Sequence, residues 1–187
     1  MSEPVPFEAP QEWWDWLASH PDAREIWVLY HRKGTGMPSI DWDDAVLGAI
    51  AHGWIDGVRK TVSPTQWTQR FTPRKPASVW SARNIAHAER LIAEGRMTAA
   101  GLATVEAGKA SGRWETGYSG GKGAEVPPDF LEALAAGPEA GQVAYAALKT
   151  QGRYAIYYRL HTAKRPETRE KRKADLLAKL ARGETFP

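Results

Sequence analysis

GWIDGVRKTVSPTQWTQRFTPRKPASVWSARNI, residues 53–85, organises the reading of the whole chain. Gly53 supplies a stop for the helix that precedes it. Trp54 to Thr61 then reads as extended, Ser63-Pro64 as a turn, and residues 66–72 as a second strand. In that strand Trp67, Gln69 and Phe71 alternate with Thr68, Arg70 and Thr72. Two short neighbouring strands joined by a turn predict a hairpin. Pro73 and Pro76 forbid regular pairing beyond it, which predicts an exposed, stiff loop carrying Arg74 and Lys75. The same stretch sets Trp54, Trp67, Phe71 and Trp80 among Arg59, Lys60, Arg70, Arg74, Lys75 and Arg83, with Asp56 as its one acidic residue. Guanidinium groups pair with oxyanions and flat rings stack, so this composition suits a small anionic or aromatic ligand.

Working outward, residues 10–20 read as a short helix, with Pro10 at the first helical position and Trp13, Trp16 and Leu17 on one face. Residues 25–33, EIWVLYHRK, read as a strand that is apolar on both faces, hence central in a sheet. Asp41 is placed to cap a helix whose stripe is Trp42, Ala45, Val46, Ala49 and Ile50. Downstream, Ser78 or Ser81 caps a helix running to about Glu94, and Thr98 caps another over 99–111. Residues 115–126 have the glycine content of a linker. Four helices follow, near 129–136, 139–150, 153–163 and 166–182. The expected fold is α+β: a small antiparallel sheet with flanking helices in residues 1–114, a linker over 115–126, and a helical subdomain over 127–187.

Composition excludes several chemistries. The 187 residues contain no cysteine, so no disulfide, thiolate nucleophile or thiolate metal site exists. The start MSEPVPFEAP lacks the basic and apolar regions of a signal peptide. No apolar run approaches the roughly 18 residues that a membrane span needs, and a cytoplasmic location is the expectation. The net charge of +3 divides sharply: residues 1–58 hold 3 Lys/Arg against 10 Asp/Glu, and residues 59–90 hold 7 against 1. Such segregation marks either a surface for polyanions or acidic and basic parts that face each other.

The candidate ligand-binding residues are Trp54, Asp56, Arg59, Trp67, Gln69, Arg70, Phe71, Arg74, Trp80 and Asn84. Asn84 follows Trp80 by four, which puts the two on one helical face with His87. Asp56 and His52 are the candidates for acid/base chemistry. Asp56 would need a pKa raised by burial; its other reading is a turn residue that bonds backbone amides or pairs with Arg59. None of the five histidines stands in a metal-binding spacing, and GTG at 34–36 lacks the pattern of a phosphate loop. Neither a metal nor a cofactor is expected. Tyr154, Tyr157, Tyr158 and His161 form an aromatic stripe at helical spacing, and AKRPETREKRK follows as a basic helix start.

WWDWL, EIWVLYHRKGTGMPSIDWDDAV, GWIDGVRK, QRFTPRKP, VWSARNIAHAERLIAEGRMTAAGL and AKRPETREKR together resemble the YdeI/OmpD-associated (OmdA) family, also called the bacteriocin-protection family. The resemblance runs from about Phe7 to Arg182. Similar proteins often carry Cys-Phe where this chain has Ala51-His52, which rules out a catalytic thiol there. They often carry a Ser-Pro-Ser-His-Arg-like turn where this chain has KTQGR at 149–153. The resemblance implies an association with antimicrobial-peptide resistance, and together with the aromatic–basic cluster it motivates a first reading as a non-enzymatic binding protein of stress or antimicrobial resistance. Nucleic-acid binding through the same basic surface with residues 164–173, and an enzyme using Asp56 or His52, are the competing readings.

Overall fold

A computed structural model describes residues 3–119 and 124–184, so residues 120–123 of the expected linker lie outside the described part. The chain divides into two compact units, Met1–Gly117 and Tyr118–Pro187.

The first unit contains β1 (Val5–Pro6), α1 (Pro10–Ser19), β2 (Ile26–His31), α2 (Trp42–Ala51), β3 (Trp54–Thr61), β4 (Gln66–Pro73), α3 (Ala82–Ala93) and α4 (Ala99–Ala110). The strands form one sheet in the order β1-β2-β4-β3. β2 is interior, as its two apolar faces predict. The β3–β4 hairpin and the β2–β4 pair are antiparallel, while the two-residue β1 joins β2 in parallel and makes the sheet mixed.

α1 and α2 bury one face of the sheet. Trp13 and Leu17 of α1 meet Ile26, Val28, Tyr30, Trp54 and Phe71 in one apolar cluster. The buried Trp13 indole N–H donates to the Ala45 carbonyl at 2.9 Å and ties α1 to α2. α2 is apolar on two sides. Ala45 and Ala49 face the sheet cluster, whereas Val46, Ile50 and Ala51 pack with Trp80, Ala88, Leu91 and Val105.

Caps explain where α3 and α4 begin. Ser81 accepts from the Asn84 N–H at 3.1 Å, and Thr98 accepts from the Gly101 N–H at 3.2 Å. Thr98 also donates to the Ala51 carbonyl at 2.7 Å. Gly101 admits this close approach, since a Cβ there would lie 2.2 Å from the Ala51 oxygen. Asp41 occupies the N-cap position of α2, but its side chain makes no capping bond and stands 3.6 Å from Lys33 instead.

The second unit contains α5 (Pro128–Ala135), α6 (Glu139–Ala146), α7 (Thr150–His161) and α8 (Pro166–Ala181). Its core is Phe130, Leu134, Ile156, Leu160, Leu176 and Leu180. Tyr157 turns its hydroxyl to accept the Ser119 N–H at 2.8 Å. α6 is shorter than the expected 139–150, because the chain turns after Ala146 and starts a new helix at Thr150. No helix among the described residues is long and apolar enough to cross a membrane.

Candidate functional site

The hairpin brings an acid and a cation to the same side of the sheet by an irregularity. Asp56 stands opposite Phe71 and Arg59 opposite Gln69, so three steps on β3 match two on β4. In a regular strand, successive side chains alternate between faces. Asp56 and Arg59 would then point to opposite sides. The extra residue at Gly57-Val58 is a β-bulge, which resets the alternation. Both side chains therefore join the helix-facing side, with Val58 left 59% exposed on the bulge.

Along that side, β2 and β4 place Tyr30 opposite Trp67 and Val28 opposite Gln69. The Tyr30 and Trp67 rings stack with centroids 3.9 Å apart and planes 6° from parallel. The Arg59 guanidinium lies 4.0 Å above the Trp67 ring. Trp42, at the first turn of α2, closes the far side. Trp42, Arg59, Trp67 and Gln69 together line a cleft of about 390 Å³. The Trp42 ring carries a second guanidinium, Arg83, at 4.5 Å, and Arg83 is paired with Asp43.

Beneath the cleft lies a small polar group. Gln69 is buried, and its Nε2 donates to Asp56 Oδ2 at 2.9 Å and to the Gly57 carbonyl at 3.3 Å. Burial raises the Asp56 pKa, against the opposing pull of its own backbone hydrogen bond, the Arg74 charge, the Gln69 bond and the Arg83 charge. Arg59 is not its partner. The Tyr30 hydroxyl is buried with no hydrogen-bond partner among the described residues. Burial first, and the Asp56 charge second, push the Tyr30 phenol well above its ordinary value. A buried hydroxyl without a partner is unusual in native structures.

The other sequence-derived site residues go elsewhere. Trp54 and Phe71 are sealed in the core, Trp54 edge-on to Trp16 and Phe71 against Trp13. Arg70 points to the opposite face of β4, where Nη2 pairs with Glu25 at 2.6 Å. Arg74 is not on an exposed loop. It is 7% exposed, its guanidinium lies 3.7 Å over the Trp80 ring, and its Nη1 donates to the Val79 carbonyl at 3.0 Å. Trp80 is buried beside Trp114. It precedes the cap residue Ser81, whose backbone is extended, so Trp80 and Asn84 do not share a helical face. Asn84 sits in the first turn of α3, half-buried.

His52 Nδ1 stands 3.0 Å from the Gly48 carbonyl, and the ring meets Trp14 edge-on at 5.3 Å. A carbonyl can only accept, so Nδ1 donates to it at the end of α2. No group of three or more metal-binding side chains occurs among the described residues.

The cleft thus collects Arg59, Trp67 and Gln69 from the sequence-derived set and adds Trp42, which the sequence reading assigned to the core stripe of α2. The signal that could have found the geometry is Gly57, since a lone glycine inside a strand pattern suggests a bulge. Nothing in the sequence marked the unpartnered Tyr30 hydroxyl.

Two family models cover separate parts of the chain. Residues 5–104 match a domain of unknown function, DUF8412. Residues 123–183 match the OmdA model, described as bacteriocin-protection, YdeI or OmpD-associated. GWIDG, RFTPRKP and WSARN fall in the first match, AKRPETREKR in the second. No curated protein and no solved structure matches the chain.

Proposed function

Because the chain belongs to the family that carries the DUF8412 domain, with an OmdA segment after it, we propose that it is a protective protein related to bacteriocin resistance that binds a small anionic or aromatic ligand. The ligand lies in the cleft of Trp42, Arg59, Trp67 and Gln69. One observation carries this reading: a cavity of about 390 Å³ whose lining combines two indole rings, a guanidinium and an amide. Apolar walls with a few polar groups are the usual make-up of a small-molecule site. Arg59 supplies the charge complement for a carboxylate, and the indoles supply stacking area.

The test is a titration with benzoate and indole-3-carboxylate, following the indole N–H resonances of Trp42 and Trp67. Saturable shifts confined to those two signals and to amides near residues 57–69 are the expected result. A flat response to both compounds, or shifts spread over all nine tryptophans, would overturn the reading.

A further inference from the structure

α8 sorts its cations into two groups. On one side Arg169 makes two 2.7 Å hydrogen bonds to the Asp129 carboxylate. Lys173 joins them, 3.2 Å from Asp129 and 2.8 Å from Glu170. These cations are neutralised within the helical unit, and the pairing holds the Asp129 carboxyl well below the usual carboxylate range.

The second group gathers around a cavity. Arg172, Asp175, Leu176, Lys179 and Arg182 follow one another at helical spacing down a single stripe of α8 and its C-cap. With Arg159 of α7 and Ala178 they line a cavity of about 260 Å³. Four cationic side chains meet there. Among the described residues Asp175 is the one carboxylate in the lining, and Glu184 pairs with Arg182 from outside at 2.6 Å. Among the described residues that line it, cationic side chains outnumber carboxylates.

Arg172 is also fixed in place. Its Nη1 donates to the Arg159 carbonyl at 2.7 Å and lies 3.4 Å from the Thr162 hydroxyl, which anchors the guanidinium to the last turn of α7. An anchored guanidinium loses little freedom when it takes up an oxyanion. Among the described residues the lining contains no aromatic ring, and so no platform for base stacking. Its one large apolar side chain, Leu176, is buried in the unit's core, which leaves nothing to insert into a bilayer.

From this arrangement we propose that the cleft between α7 and α8 binds a soluble phosphate oxyanion of high charge, a diphosphate or an ester carrying adjacent phosphates. Its recognition is by Arg159, Arg172, Lys179 and Arg182. The site is independent of the tryptophan cleft of the first unit.

The experiment uses the full chain and inorganic pyrophosphate, titrated by calorimetry and by amide chemical shifts at two salt concentrations. The expected result is saturable binding with shifts near Arg159 and along residues 172–182. The double variant Lys179→Gln/Arg182→Gln weakens binding at least tenfold. The control Lys164→Gln/Lys171→Gln removes the same charge outside the cleft and stays within twofold of the parent. Circular dichroism checks that each variant folds, and the single Lys179→Met replaces the double variant if that one does not. Equal weakening by both doubles would reduce the effect to net charge and overturn the proposal, as would absence of binding to the parent. Attachment to phosphatidylglycerol vesicles that pyrophosphate fails to displace would assign the surface to lipid and overturn it as well.

Discussion

Among the arginines of the first unit that lie over tryptophan rings, Arg74 and Arg59 sit in contrasting surroundings. Arg74 covers Trp80 at 3.7 Å, and Arg59 covers Trp67 at 4.0 Å. The contact is nearly the same, but its setting is not. Arg74 and Trp80 are both buried, and the guanidinium is tied to the Val79 carbonyl. Arg59 is exposed on the bulged strand, and its tryptophan borders a cleft. A cation–π contact is worth more when water is excluded and little when it is not. The interior pair is therefore a structural element, whereas the Arg59 guanidinium stays open to solvent beside the cleft.

Three substitutions sharpen or break this contrast. The largest effect belongs to Arg74→Met, which keeps most of the volume but strips the Trp80 face and the Val79 carbonyl of their partner. A loss of about 3 kcal/mol is expected, in line with breaking a buried charged hydrogen bond, read as a lower urea midpoint. A change below about 0.5 kcal/mol would place Arg74 with the surface arginines.

Asp56→Asn comes next. The folded-state pKa of Asp56 is raised, so its contribution to stability is complete below the unfolded carboxylate value and is lost as pH rises through the folded value. The asparagine variant lacks that loss and can still accept from Gln69. Its stability relative to the parent is expected to climb as pH rises from 4 to 7, followed by urea unfolding at each pH. A difference that stays constant with pH would show that Asp56 carries no burial penalty.

The smallest effect on stability is that of Arg59→Ala, below about 1 kcal/mol for an exposed cation–π contact. The same change is expected to weaken benzoate binding at least tenfold. Loss of stability matching that of Arg74→Met would erase the distinction between the two pairs.

Much of the first unit was legible in the order of its residues. The helical stripes of α1 and α2, the hairpin, the Ser81 and Thr98 caps and the central strand β2 all follow from periodicity and stop signals. The site was less legible. Rings and cations alternate through residues 53–85 without marking which of them share a face. Trp54, Phe71 and Trp80 went to the core because large rings bury the most apolar area, and Trp67, stacked on Tyr30, is buried with them and keeps only an edge on the cleft.

By itself the sequence determined the elements, the absence of thiol chemistry and the aromatic–basic character of the middle third, because each depends on local spacing and composition. Tertiary structure alone decided that Arg74 is interior and Arg59 is not, that Asp56 and Arg59 share a face, and that Trp42 completes the cleft. Those outcomes depend on strand register and on which helix covers which face. Register turns on one extra residue at Gly57-Val58, which the pairing with β4 fixes and a linear pattern leaves open.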